Sequence, residues 1–236
     1  MKKSILLFPL IILFAVLRSP AGGAASVPQE EADRVLAKAF SIGAEFYKKY
    51  RGIESLRKEV VKEFDPETGA LRSTSEVTTR RKEYYYDKPD IQAISYKKDG
   101  KEMDPSSLRV YKALPIYPIF DEHGRDHYTL TIPERKSFGG KDCYRVQVEP
   151  KQNTSRHFKG NVWVAVKTLE MVAIEGTMAK LDFPLKEFRI ELNLALEGSV
   201  PVVKNGLVRL RIKVPIFVPD TIIESAFEVL ENKPIE

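Results

Sequence analysis

From Phe188 to Leu196 every second residue is large and apolar. Phe188, Ile190, Leu192, Leu194 and Leu196 fall on one side of the chain, opposite Arg189, Glu191, Asn193 and Glu197. A period of two is the period of a strand. Val208, Leu210, Ile212 and Val214 repeat it against Arg209, Arg211 and Lys213. Long strands with one apolar and one charged face must curl around something or close into a barrel, because a flat open sheet leaves its apolar face wet and its edges unpaired.

Shorter alternations support the same architecture. Tyr128, Leu130 and Ile132 form one, and Tyr144, Val146 and Val148 another. Ile53 to Phe64 reads as a strand turned by the run from Asp65 to Gly69. A second spans Leu71 to Tyr86, and a third, Ile91 to Lys98, meets the turn Lys98-Asp99-Gly100. Gly139-Gly140, Thr168-Leu169-Glu170, Glu197-Gly198 and Lys204-Asn205-Gly206 separate the later strands, Asn-Gly being a strong hairpin signal. The expectation is about ten antiparallel strands.

One segment has the helical period instead. Val35, Leu36, Ala39, Ile42, Phe46 and Tyr50 recur at steps of three and four. Ser26 with Gln29 reads as a capping box, Glu30, Glu31 and Asp33 suit the positive end, and Lys48, Lys49 and Arg51 suit the other. Gly52 ends the helix in this reading, and Gly43 on its packing side allows close approach to a sheet. A curved sheet enclosing a helix leaves an apolar concavity, which side chains fill or a small apolar ligand occupies.

The segment Ala113-Leu114-Pro115-Ile116-Tyr117-Pro118-Ile119-Phe120 is apolar, but its two prolines exclude it from a sheet interior. It reads as a plug in the end of a barrel or a lid over a pocket, and both bury Ile116, Tyr117, Ile119 and Phe120. The plug is the preferred reading.

Residues 1–25 read as a secretory signal peptide. Lys2 and Lys3 precede an apolar stretch from Ser4 to Leu17, and small residues from Ala21 to Ala25 follow Arg18 and Pro20. The stretch is shorter than the roughly 20 residues of a membrane span. No cysteine stands at the cleavage site, which excludes a bacterial lipoprotein. Three of the 38 basic residues and none of the 33 acidic ones leave with the leader, so the charge of +5 falls to +2. That balance makes no demand for nucleic acid, whose binders carry a concentrated basic stripe. Residues 26–236 are then a single domain, expected in the periplasm or secreted, with no stable span.

Catalytic signatures are weak. His123 and His127 stand four apart beside Asp121, Glu122 and Asp126, but Gly124 lies between them in a loop context, which argues against a helical metal pair. No nucleophile elbow, phosphate loop or dinucleotide fingerprint is present. The lone Cys143 heads a strand and reads as structural. Trp163 faces oppositely to Val162 and Val164, so it either packs under the helix or sits at an opening. Asn153-Thr154-Ser155 matches the glycosylation sequon, which matters only in a eukaryotic source. The expectation is a protein without catalytic residues, metal or cofactor.

A resemblance supplies more. Gly160-Asn161-Val162-Trp163-Val164, the turn Thr168-Leu169-Glu170 and the strand Val172-Ala173-Ile174-Glu175-Gly176 resemble the LolA-like periplasmic lipoprotein-carrier and outer-membrane lipoprotein-sorting superfamily. So do the run from Gly139 to Pro150 and the order of leader, helix and strands. The resemblance is best from Tyr128 to about Leu230. It implies a mainly β (α+β) fold, an unclosed antiparallel β-barrel of about ten strands wrapping one long N-terminal helix, with a loop or helical lid. It also implies a concavity that receives lipid or the acyl chains of a lipoprotein. Relatives include a stress-sensing regulator, so the alternative is an envelope interaction or sensor module with a filled cavity and a membrane-protein partner. The carrier's lid arginine matches no arginine here. Under this reading Phe188, Ile190, Leu192, Leu194, Leu196, Val208, Leu210 and Ile212 line the lipid site, with Ile116, Tyr117 and Phe120 as its lid.

Overall fold

The computed structural model describes residues 25–108, 115–197, 200–214 and 218–236. The leader before Ala25, and Ala113 and Leu114 of the proline-rich segment, lie outside them. The elements are β1 (Ala25–Ser26), α1 (Gln29–Lys49), β2 (Gly52–Phe64), β3 (Leu71–Tyr84), β4 (Asp90–Lys98) and β5 (Lys101–Met103). Then come α2 (Gly124–His127), β6 (Tyr128–Phe138), β7 (Lys141–Pro150), β8 (Phe158–Ala165) and β9 (Met171–Met178). The last are β10 (Leu185–Glu197), β11 (Val200–Val214) and β12 (Val218–Ile235).

All twelve strands belong to one antiparallel sheet in the order β1-β6-β7-β8-β9-β10-β11-β12-β2-β3-β4-β5. The two ends do not pair, so the sheet is unclosed, as expected. The count exceeds ten through two short edge strands, β1 on β6 and β5 on β4.

The helix follows its amphipathic pattern with two departures. Its N-cap is Pro28 and no side chain caps it, so Ser26, which pairs with Glu134 in the sheet, does not form a capping box. It ends at Lys49 with the Tyr50 amide bonded to the Phe46 carbonyl, and Gly52 already belongs to β2. Ala32 and Val35 are buried, and Ile42, counted in the stripe, is 44% exposed. The stripe packs on β6 to β8, where Tyr128, Tyr144, Val146, Val148, Phe158, Val162 and Val164 complete the main core. Gly43 makes its close approach to the backbone of Phe120 rather than to a sheet.

Asn205-Gly206 is not a turn. Both residues sit inside β11, opposite Asn193 and Leu192. A Cβ on Gly206 would lie 2.7 Å from Leu192 Cδ2 and 2.7 Å from Phe227 Cζ, so the glycine makes room for side chains of its two neighbouring strands. Gly139-Gly140 is a true turn, with φ of 55° and 77°. Trp163 takes neither expected place. It stacks on Phe138 at 4.4 Å and packs beside buried Cys143 and Ala173, across β8 from Val162 and Val164. No helix among the described residues is long and apolar enough to cross a membrane.

Candidate functional site

Directly paired residues of neighbouring strands share a face of the sheet, so the register can be followed as rows. One row reads Leu130, Val148, Gly160, Gly176, Ile190, Val208, Ser225, Val61. The next reads Val146, Val162, Ile174, Leu192, Gly206, Phe227, Glu59, Val77. On the other side of Ile190 lies the row Phe188, Leu210, Ile223, Glu63. Ile190 packs against the core that receives the helix, so these rows form the concave face.

Cover differs along the rows. Under the helix, Val146, Val148 and Val162 are sealed. Further along, Phe188, Ile190, Leu192, Val208, Leu210 and Ile212 are only half-buried. The register thus brings six of the eight expected wall residues together in an apolar strip on β10 and β11. Leu194 and Leu196 are placed differently. A register shift between Asn193 and Leu194 sets them opposite Val203 and Pro201. Beyond it the buried residues are Val200 and Val202, which pair with Glu197 and Ala195 and pack with Tyr50 and Phe46, while Leu196 is 38% exposed.

The strip adjoins a cleft. β9 and β10 pair only from Asn193↔Ala173 to Ile190↔Gly176, although β9 runs on to Met178 and β10 begins at Leu185. Where they part lies an open cavity of about 640 Å³ lined by Phe188, Gly160, Gly176 and Leu181 and, from the other face of the sheet, by Asn161, Glu175, Thr177, Glu187, Arg189 and Arg209.

The proline-rich segment docks on the start of β8 and the helix. The Tyr117 amide donates to the Arg156 carbonyl at 2.9 Å, Tyr117 O accepts from the Tyr128 hydroxyl at 2.9 Å, and Arg156 Nε donates to Pro115 O at 3.3 Å. The Tyr117 ring stacks on His127 at 4.0 Å, and Phe120 meets Phe40 edge-on at 5.8 Å. Phe120 is buried, and Ile116, Tyr117 and Ile119 are half-buried against the core. Asp121, 2% exposed, accepts from the Tyr86 hydroxyl at 2.7 Å. His123 is the N-cap of the one-turn α2, and no group of three metal-ligating side chains is found among the described residues.

Sequence reasoning missed the weight carried by His157. It is 1% exposed, shares a 2.6 Å hydrogen bond through Nδ1 with Thr154 Oγ1, and faces Tyr117, Tyr128 and His127. Burial lowers its pKa, and the nearby His127 and Arg156 lower it further. The folded ring therefore takes a proton less readily than an unfolded histidine, which does so near pH ~6.5. Stability from this group is present above that pH and is lost as pH falls through it. Thermal unfolding followed from about pH 7.5 to 5 should show the wild type losing more of its midpoint than His157→Asn. Equal losses in both would show that this ring does not carry the effect.

The site is thus an unclosed antiparallel sheet folded over one amphipathic helix, with a half-buried apolar strip beside a cleft. No protein-family model matches the chain, and no curated protein does. Among solved structures it is similar to a LolA superfamily protein from Nitrosomonas europaea, at 9% identity and TM-score 0.43, covering 87% of this chain and 93% of that one. It is similar to a DUF1329 family protein from Desulfovibrio piger, at 12% identity and TM-score 0.43, covering 85% and 93%. An outer membrane lipoprotein-sorting protein domain from Vibrio parahaemolyticus matches at 11% identity and TM-score 0.42, covering 84% and 93%.

Proposed function

We propose that this chain is a non-catalytic binding protein of the bacterial periplasm that holds the acyl chains of a lipid or lipoprotein against its concave sheet face. The observation that carries the reading is the strip of Phe188, Ile190, Leu192, Val208 and Leu210, brought into register by two adjacent strands and left half-buried beside the cleft. Each methylene moved from water onto such a surface contributes about 0.8 kcal/mol. An acyl chain therefore binds there without a reactive side chain. The leader-like segment and the resemblance to lipoprotein-sorting proteins support the location.

The test is the full chain exported to a bacterial periplasm and purified without detergent, beside Leu192→Glu. Organic extraction and mass spectrometry should find lipid near stoichiometry in the wild type. In the variant, whose carboxylate would stand in the middle of the strip, occupancy should fall at least about tenfold. A folded wild type that carries no lipid and takes up no fluorescent fatty acid would sink the reading and favour an interaction module with a filled concavity.

A further inference from the structure

The concave face changes character along β2. Beyond the row of Glu59 and Phe227 comes a row of Val229, Arg57 and Thr79, then one of Asn232, Ser55 and Arg81. Arg57 has a side chain only 12% exposed, paired with Glu83 and lying 4.9 Å from the Phe227 ring. Arg81 donates to Glu59 Oε1 at 2.6 Å and to Thr79 Oγ1 at 3.0 Å. Both acids thus have an arginine partner. Two polar atoms in these two rows remain unmet: Arg57 Nε and Ser55 Oγ are buried with no hydrogen-bond partner among the described residues, and Ser55 is 2% exposed.

These two groups are two residues apart on one strand, so they share a face about 7 Å apart. Buried polar groups are normally satisfied, and one left unmet in a dry place points to a missing partner. Arg57 Nε can only donate and Ser55 can donate, so the missing partner is an acceptor oxygen. A cationic head group is opposed by the two guanidiniums. The six residue steps along β2 from Arg57 to Glu63, which lies in the row of Phe188, give a run of about 20 Å toward the apolar strip.

We propose that Arg57 and Ser55 form the polar end of the binding site and take the carboxyl oxygen of an acyl group, a free carboxylate or an ester carbonyl, whose chain lies along the rows toward Phe188. This inference rests on the acyl-chain reading above. An ester carbonyl uses the free Nε–H alone, whereas a carboxylate also competes with Glu83 for the guanidinium.

The experiment compares binding of palmitate, methyl palmitate and hexadecylamine, which share one chain length, to the full chain and to Arg57→Met and Ser55→Ala. A hydrogen bond from a charged donor is worth roughly tenfold or more in affinity. The wild type should therefore hold at least one of the two acyl ligands about tenfold more tightly than the amine. The stronger of the two identifies the source of the oxygen. Arg57→Met should bring all three within about threefold while amine binding persists, and Ser55→Ala should narrow the gap in the same direction. An unchanged ranking in Arg57→Met, or no ranking in the wild type, overturns the proposal. If Arg57→Met does not fold, an unchanged ranking in Ser55→Ala overturns it. Binding of none of the three by the wild type overturns the acyl-chain reading itself, which separates the two failures.

Discussion

Phe158→Ala is expected to lose about 3–5 kcal/mol of stability. The side chain is 2% exposed and belongs to the core beneath the helix. Its ring also covers the facing glycines of β8 and β9. Cβ atoms on Gly160 and Gly176 would lie 2.7 and 2.6 Å from its Cζ. Removing the ring leaves a cavity and uncovers two stretches of bare backbone, and neither glycine has a side chain to collapse into the space. For a chain of this size the melting midpoint should fall by roughly 6–20 °C. Phe158→Leu keeps most of the apolar volume and should cost less. The check is thermal and urea unfolding of both variants by circular dichroism. A midpoint for Phe158→Ala within a degree or two of wild type would show that the ring does not hold the β8–β9 pair.

Gly43→Ala tests the dock between helix and proline-rich segment, and here the sign is the informative part. In an exposed helix interior this change stabilises by about 1 kcal/mol. In this protein the new methyl would fall inside contact distance of the Phe120 carbonyl oxygen, a backbone atom that cannot rotate away. Overpacking of that kind costs about 1–3 kcal/mol, so the expected outcome is a loss. Ser41→Ala, at an exposed position of the same helix, is the control and should be neutral or stabilising. Limited proteolysis should cut Gly43→Ala faster near Tyr117 and Phe120 while leaving the β10–β11 hairpin intact. A stabilised Gly43→Ala would mean that the segment does not dock there.

The sheet and helix were legible because their periods are clean. Phe188, Ile190 and Leu192, and Val208, Leu210 and Ile212, alternate without interruption, and the pairing observed follows from that alternation. Four features resisted. Asn205-Gly206 carries a strong turn signal, but the space a glycine leaves also serves a strand whose neighbours are Leu192 and Phe227, and sequence spacing does not distinguish the two uses. The register shift after Asn193 is invisible because Leu194 and Leu196 continue the period. On β2 the doublet Val60-Val61 breaks the alternation, so the face carrying Ser55, Arg57 and Glu59 could not be assigned, and the buried polar groups there went unseen. His157 was hidden for a related reason: its burial depends on a segment some forty residues earlier in the chain.

The unpaired ends of the sheet have a consequence for what the concavity admits. In a closed barrel, strand number and stagger together set the radius. Here β1 and β5 never meet, so no such closure condition applies. The curvature is held by the helix and the docked segment on the β6–β8 side and by Phe46 and Tyr50 against Val200 and Val202 at one end of β11. Along the rest of β10–β12 the strands' own twist supplies it. Width is therefore an elastic property of the sheet, and on the proposed function bulkier or branched hydrocarbon would be accommodated by a small change of bend rather than by breaking any ladder. Under the proposed acyl-chain reading, discrimination among guests falls to fixed chemistry at the edge of the bowl, with girth left largely unselected.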